Sequence, residues 1–368
     1  MDERCCALEI VGVSSPFWRD RHVFLTGHTG FKGAWLALWL QLLGAKVTGF
    51  SLAPPTQANL FDSAGVADGI TSITGDIRDF NLLRSTLIES RASIVFHLAA
   101  QSIVAEGYRA ARDTFATNLT GTINLLDAIR NSPLVQSAVI VTSDKCYAPS
   151  AHATPHSEVD ALGGNDPYSA SKACAEIATA AWRHSFFPCA DAPRIASARA
   201  GNVIGGGDWS AHRLLPDVAR AFIAGQAVCL RMPNAVRPWQ HVLDALSGYL
   251  QLAEKLGSAD GSKYSRAWNF GPADCDHLTV AEIAMRCAEI WGDGARVEMA
   301  GDNFQQETLA LRLDAEAARK DLLWQPRWSA DQALRQALEW YRAWQASPDD
   351  TRKLRAFTLS QINAYAST

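Results

Sequence analysis

The segment HVFLTGHTGFKGAWLALWLQLLGAKVTGFSL, residues 22–52, constrains the fold more than any other part of the chain. A short apolar run ends in glycine, a stretch with helical apolar spacing follows, and a second apolar run closes it. That is the pattern of a β-α-β unit. The alternation continues downstream. It predicts strands at Thr71 to Thr74, Ile94 to Leu98, Ala138 to Thr142 and Ile195 to Arg199, and helices near Leu82 to Ser90, Thr114 to Arg130 and Tyr168 to Phe187. Strands that are apolar throughout and separated by helices require a parallel sheet covered on both faces.

Past Gly201 the pattern loosens into GNVIGGGDWSAHRLLPD, then HVLDALSGYLQLAEKL is again amphipathic and RAWNFGP reads as one more strand. The expected class is α/β, a Rossmann-type doubly wound parallel sheet with a smaller, discontinuous lobe. Residues 14–200 and 237–272 would form the sheet domain, and 201–236 with 273–350 the lobe. Residues 1–13 receive no assignment.

The 368 residues are 48% hydrophobic, enough for a large core, and the net charge of -4 comes without any lysine- or arginine-rich run. The chain therefore has no electrostatic footprint for nucleic acid or an anionic membrane, and a small-molecule partner is expected. The start, MDERCCALEIVGVSSPFW, has two acids where a signal peptide carries positive charge, and its apolar part is too short to span a bilayer. A cytoplasmic location is the reading. Eight cysteines without a CxxC pair suggest neither disulfides nor zinc, so Cys146 and Cys174 read as buried thiols. The nine histidines lack metal-ligand spacing, and no metal is expected.

Gly27, Gly30 and Gly33 in GHTGFKG stand at the first strand-helix junction. Glycine there permits a tight turn, approach of the backbone to a pyrophosphate, and close helix-sheet packing, with the helix N-terminus facing the phosphates. The second strand ends in Gly49, Phe50 and Ser51, so no carboxylate is available for the ribose hydroxyls, and no basic cluster awaits a 2′-phosphate. NAD is favoured on the second ground. Asp76, after the third strand, either bonds the adenine amino group or caps the following helix.

Tyr168 and Lys172 in YSASK share one helical face, so the ammonium can lower the phenol's pKa and contact the cofactor ribose, leaving a phenol able to act as a general base. Ser143 leaves the preceding strand where it can touch the same substrate hydroxyl.

These residues resemble the extended short-chain dehydrogenase/reductases. GHTGFKG, HLAAQ (His97 to Gln101), TNLTGT (Thr117 to Thr122), TSDK and YSASK occur in that family's order, and the likeness runs from about Phe17 to Trp344. It implies that Ser143 polarises the substrate oxygen, that Tyr168 and Lys172 transfer the proton, and that Asn118 supports the helix and active site. His28, Phe31, Lys32, Ser51, Asp76, Ile77, Leu98, Ala99, Ala100 and Asn118 join the three glycines as expected NAD contacts. Within the family the chain is similar to the sugar-nucleotide 4,6-dehydratases of the CDP-glucose type, through LGGNDPYSASKACAE, SARAGNVIGGGDW and RPWQHV. The resemblance implies a nucleotide-sugar substrate, CDP-glucose, and a homodimer or dimer of dimers built on the Thr114 and Tyr168 helices. QSIVAEGYR, Gln101 to Arg109, departs from the pattern by lacking a proline and further basic residues.

In such an enzyme, oxidation at C4 makes the C5 hydrogen acidic, and water then leaves from C6. Asp144 is placed to act as acid at C6 and Lys145 to serve at C5. Related dTDP-sugar dehydratases carry Asp-Glu at this point. An ordinary lysine is protonated near neutrality. The position therefore calls either for a perturbed amine or for a cation that stabilises the enolate while water or Tyr168 moves the proton. The bland alternative is an ion pair closing a sheet edge. For the sugar nucleotide, the resemblance points to Asn202 and Arg237, whose planar fork suits a pyrophosphate. Gln101 and Arg213 are further expected substrate contacts. Trp209 is either a stacking surface or, preferably, a packing anchor. A sugar-nucleotide epimerase would share Ser143, Tyr168 and Lys172 but would have no use for Asp144, and a non-catalytic regulator would not need the Tyr-Lys pair.

Overall fold

The structure, a computed structural model, describes residues 15–149, 154–189, 191–273, 276–299 and 311–368. The N-terminal extension 1–13 and parts of the 273–350 segment lie outside these residues. Seven strands form the central sheet: β1 (His22–Thr26), β2 (Lys46–Ser51), β3 (Thr71–Thr74), β4 (Ile94–His97), β5 (Ser137–Val141), β6 (Arg194–Ala200) and β7 (Ala267–Phe270). Their order is β7-β6-β5-β4-β1-β2-β3, and every pairing is parallel. The predicted strands are matched to within about a residue at each boundary named.

Side chains alternate across the strands, so each strand feeds two cores. Val23 and Leu25 of β1 pack into one with the Phe31–Leu42 and Val242–Leu256 helices, while Phe24 joins Phe50, Val95, Ile140 and the Phe80–Glu89 and Gly121–Arg130 helices in the other. This is why the strands read as continuously apolar. Trp35 and Trp39 on the Phe31–Leu42 helix have no solvent exposure. Truncating such a side chain costs about 3–5 kcal/mol, so they fix which face of the helix meets the sheet.

The chain builds β1 to β3 outward on one side and β4 to β7 on the other. The connections therefore diverge between β1 and β4, and the crevice at their carboxyl ends is where ligands bind in open α/β sheets. Beyond β6 the strands are short. Val203–Ile204 pairs with Gln240–His241, Val228–Leu230 with Val297–Met299, and Val236–Pro238 with His277–Thr279, the last antiparallel.

Two features depart from the sequence reading. The single helix expected over Thr114 to Arg130 is interrupted: Ala111–Phe115 is α-helical, Ala116–Thr120 is a wider π turn, and Gly121–Arg130 resumes the α-helix. A terminal helix, Thr351–Ala366, was not anticipated. Arg355 ties it to the carbonyls of Ala64 and Gly65 and to the Gln41 side chain, and the Tyr365 hydroxyl donates to Asp244 Oδ1 at 2.7 Å. Among the described residues no helix is long and apolar enough to cross a membrane.

Candidate active site

A cavity of about 830 Å³ opens at the carboxyl ends of β1, β4 and β5. The turn after β1 forms one wall. Gly27 has φ +79°, and a Cβ there would come within 2.6 Å of the Ala99 nitrogen. A Cβ at Gly33 would collide with the Gly27 carbonyl. Both positions therefore require glycine, and the turn lies flat against the segment after β4. Gly30 caps the Phe31–Leu42 helix with no side-chain bond, so its first-turn amides have no side-chain cap. This is a cradle for a pyrophosphate, and the residues present fit a dinucleotide. Thr29, which the sequence reading missed, holds the Ser51 hydroxyl at 2.8 Å and the Leu52 carbonyl at 2.8 Å.

Asp76 lines the cavity but does not cap a helix. The cap of Phe80–Glu89 is Asp79, which accepts from the Leu82 amide, while Arg78 binds both Asp76 oxygens. That hydrogen-bonded guanidinium holds the Asp76 carboxyl below its ordinary pKa.

β5 is buried along its length and has β4 and β6 on either side, so Asp144 and Lys145 do not close a sheet edge. The strand ends into a short 3₁₀ turn, Asp144–Cys146, capped by Ser143, whose hydroxyl accepts from the Lys145 amide at 3.2 Å and donates to Asp144 Oδ1 at 2.9 Å. Asp144 is 3% exposed. Burial pushes its carboxyl up, against the opposing charges of Lys145, Arg237 and Lys32 and the Ser143 bond. The strand thus ends in an acid and a base because the crevice begins there.

Tyr168 and Lys172 come from the first turns of the Pro167–Phe186 helix, with Asp166 as its cap. A phenol below its ordinary pKa is not the net result in the chain alone. Burial pushes Tyr168 up to about 12, against the Ser143 hydroxyl and the Arg213 charge. Burial also brings Lys172 down to about 8 while Glu176 and Cys146 oppose the fall, and its ammonium donates to the Val141 carbonyl at 3.3 Å. Lys32, half-buried in the same cavity, falls to about 7 through burial and the cations Arg213 and Lys172, with Asp144 and Asp208 opposing.

The remaining predicted contacts divide. Phe31, Ile77, Leu98, Ala99, Ala100, Gln101, Asn202, Arg213 and Arg237 all line the cavity. Arg213 bridges Asp208 at 2.8 Å and the Ser102 hydroxyl at 2.7 Å, which joins the lobe to the segment after β4. Gln101 is committed to its own loop: Oε1 accepts from the Ile103 amide and Nε2 donates to Thr114. Three predicted residues are not on the cavity wall. His28 is buried against Gly49 and bonded to Ser72 at 2.7 Å, and burial lowers it to about 4. Asn118, in the π turn, accepts from the Gln101 amide and donates to the Gln101 carbonyl and Ser171. Trp209 packs on Tyr341 and Trp344. Cys146 is buried with its thiol pushed up, an inert position.

Comparison with known proteins agrees with this geometry. Residues 24–337 match the GDP-mannose 4,6 dehydratase family. The chain is 44% identical to the CDP-glucose 4,6-dehydratase of Salmonella typhimurium, covering 90% of this chain and 93% of that one. It is 25% identical to a UDP-glucose 4-epimerase of Erwinia amylovora over 86% and 97% of the two chains. Among solved structures, the dTDP-glucose 4,6-dehydratase of Bacillus anthracis in complex with NAD shares the fold, with a TM-score of 0.74, 22% identity and coverage of 88% and 96%. A crevice at the β1–β4 divergence, a glycine turn that admits no side chain, and a match over most of the chain lead to one assignment: the chain belongs to the GDP-mannose 4,6 dehydratase family.

Proposed function

We propose that the chain is an NAD-dependent hydro-lyase that converts CDP-glucose to CDP-4-keto-6-deoxyglucose and water. One observation carries the reading: a buried acid, Asp144, lies beside Lys145 and shares a cavity with Ser143, Tyr168 and Lys172. Epimerisation at C4 needs the last three and has no use for the acid. The likeness to the Salmonella enzyme supports cytidine as the base.

Gly27, Gly30, Phe31, Lys32 and Gly33 would hold the dinucleotide pyrophosphate, with Ser51, Asp76, Ile77 and Leu98 to Ala100 around the rest of the cofactor. When bound, NAD supplies a reversible hydride acceptor. The chain's own groups do the proton chemistry. Ser143 donates to the C4 oxygen and Tyr168 takes the C4 hydroxyl proton, with the Lys172 ammonium beside them. The resulting ketone acidifies C5, whose proton leaves where Lys145 serves, and Asp144 protonates the departing C6 hydroxyl so that water leaves. The 5,6-alkene then regains at C6 the hydride lost from C4 and at C5 a proton. Burial suits Asp144 to that role, because it favours the protonated form. Asn202 and Arg237 are assigned to the sugar nucleotide, residues 14–200 and 237–272 to the dinucleotide domain, and 201–236 with 273–350 to the substrate lobe.

With CDP-glucose deuterated at C4, the label should emerge in the C6 methyl group and no net reduced nicotinamide should build up. Stoichiometric reduced nicotinamide without methyl label would identify a simple dehydrogenase instead. Parallel assays with dTDP- and UDP-glucose, read by the alkali-sensitive absorbance of the 4-keto sugar, test the base.

We also infer a homodimer paired through the Ala111–Phe115 and Pro167–Phe186 helices. The exposed Ile177 and Phe186 on the second helix support it. Sedimentation velocity should give twice the chain mass, and Ile177→Asp should return the monomer. A parent that sediments as a monomer overturns this assembly.

A further inference from the structure

Behind the cavity lies a buried ion pair that the chemistry above does not use. Glu176 and Arg199 are each 3% exposed and meet at 2.8 Å. Glu176 stands on the same helix as Tyr168 and Lys172, at successive four-residue steps, so the three share one face. Its Oε1 accepts from the Thr142 hydroxyl at 2.5 Å, and its Oε2 accepts from Ser197 at 2.7 Å as well as from Arg199. Arg199 in turn donates to the Tyr147 hydroxyl at 2.8 Å, and Tyr147 donates to Asn269 on β7 at 2.6 Å. Thr142 immediately precedes Ser143, and Tyr147 follows Cys146. One ion pair therefore grips both ends of the segment that carries Ser143, Asp144 and Lys145.

We propose that Glu176 is a positioning residue of the reaction. It holds Thr142 on one side of the reacting segment and, through Arg199, Tyr147 on the other, while its charge faces the Lys172 ammonium. The proposal rests on the function assigned above. Burial alone would raise the Glu176 carboxyl, but Arg199 and the Thr142 and Ser197 hydroxyls keep it below its ordinary range and hence ionised. The charged or titratable groups facing Lys172 are Glu176 from its own helix, Cys146 from the 3₁₀ turn, His97 from β4 and Lys32 from the Phe31–Leu42 helix. Glu176 is the carboxylate among them, so removing its charge makes the ammonium easier to deprotonate.

Two sets of variants test this. Glu176→Gln keeps the shape of the side chain and drops its charge. The alkaline limb of its kcat profile should move to lower pH by about one unit, a roughly tenfold loss above that limb, with KM nearly unchanged. Titration of lysine ε-carbons by ¹³C NMR, assigned with Lys172→Met, should show the same downward shift for Lys172 without reference to turnover. Thr142→Val leaves the charge and removes the grip on the strand end. It should lower kcat about tenfold without moving the limb, and Thr142→Ser should restore it. A folded Glu176→Gln protein with the parent's Lys172 titration, or Thr142→Val and Thr142→Ser proteins with equal kcat, would overturn the proposal. If Glu176→Gln does not fold, the Thr142 pair alone decides. A parent that makes no 4-keto-6-deoxy sugar overturns the assigned function instead, and the NMR titration still judges Glu176.

Discussion

Replacing Tyr168 by phenylalanine should lower the rate of C4 oxidation by about 10²- to 10⁴-fold, the usual contribution of a positioned general base, while thermal unfolding stays near the parent's. The ring packs as before, and only the hydroxyl facing Ser143 is lost. Burial pushes that hydroxyl up to about 12, so the phenol of the cofactor-free protein is protonated near neutrality. Titrating the phenol spectroscopically with and without NAD, against the Phe variant, would show how far the bound cofactor brings it down. A Phe variant within a few-fold of the parent would remove Tyr168 from the mechanism.

Asp144→Asn and Lys145→Met should divide the reaction at the ketone. Asparagine keeps the shape of the acid but cannot protonate the C6 oxygen. Loss of water should fall by about 10²- to 10⁴-fold while 4-keto sugar and reduced nicotinamide accumulate on the enzyme. Methionine keeps the length of Lys145 without its charge, so exchange of the C5 hydrogen with solvent should slow together with elimination. The checks are absorbance of the bound reduced nicotinamide in single turnovers and NMR of the C5 position in deuterated solvent. Normal exchange at C5 in the Lys145 variant would leave Lys145 no part in enolisation. Failure even to oxidise C4 would move it to substrate or cofactor binding.

The sheet was legible because both its faces are covered, which writes each strand as an apolar run, as SAVIV at β5 shows. The glycine turn was legible because its constraint is steric and local: the atoms that exclude a side chain at Gly33 belong to Gly27 and His28. The residues that turned out otherwise depend on contacts distant in sequence. Nothing near His28 foretells Gly49 and Ser72, which draw its ring beneath β2 and away from the cavity. Asn118 was expected both to touch the cofactor and to support the helix and active site, and the π turn aims its amide at Gln101 and at Ser171 on the Tyr168 helix. Glu176 drew no attention in the sequence, because its partners Arg199 and Ser197 come from β6, more than twenty residues away. Electrostatics was the least legible layer. The four-residue spacing of Tyr168 and Lys172 held, but it does not disclose the burial that drives the phenol upward.

The terminal helix Thr351–Ala366 lies wholly past residue 337, where the match to the GDP-mannose 4,6 dehydratase family ends. Its Tyr365 nonetheless reaches Asp244, an acid with no solvent exposure whose pKa burial raises to about 6, and Arg355 fastens the loops around Gly65 and Asp68. A chain trimmed at the family boundary would strip a buried carboxyl of a donor and uncover Trp39, which packs edge-on against the Tyr365 ring. The boundary of the inherited pattern is thus not the boundary of the folding unit.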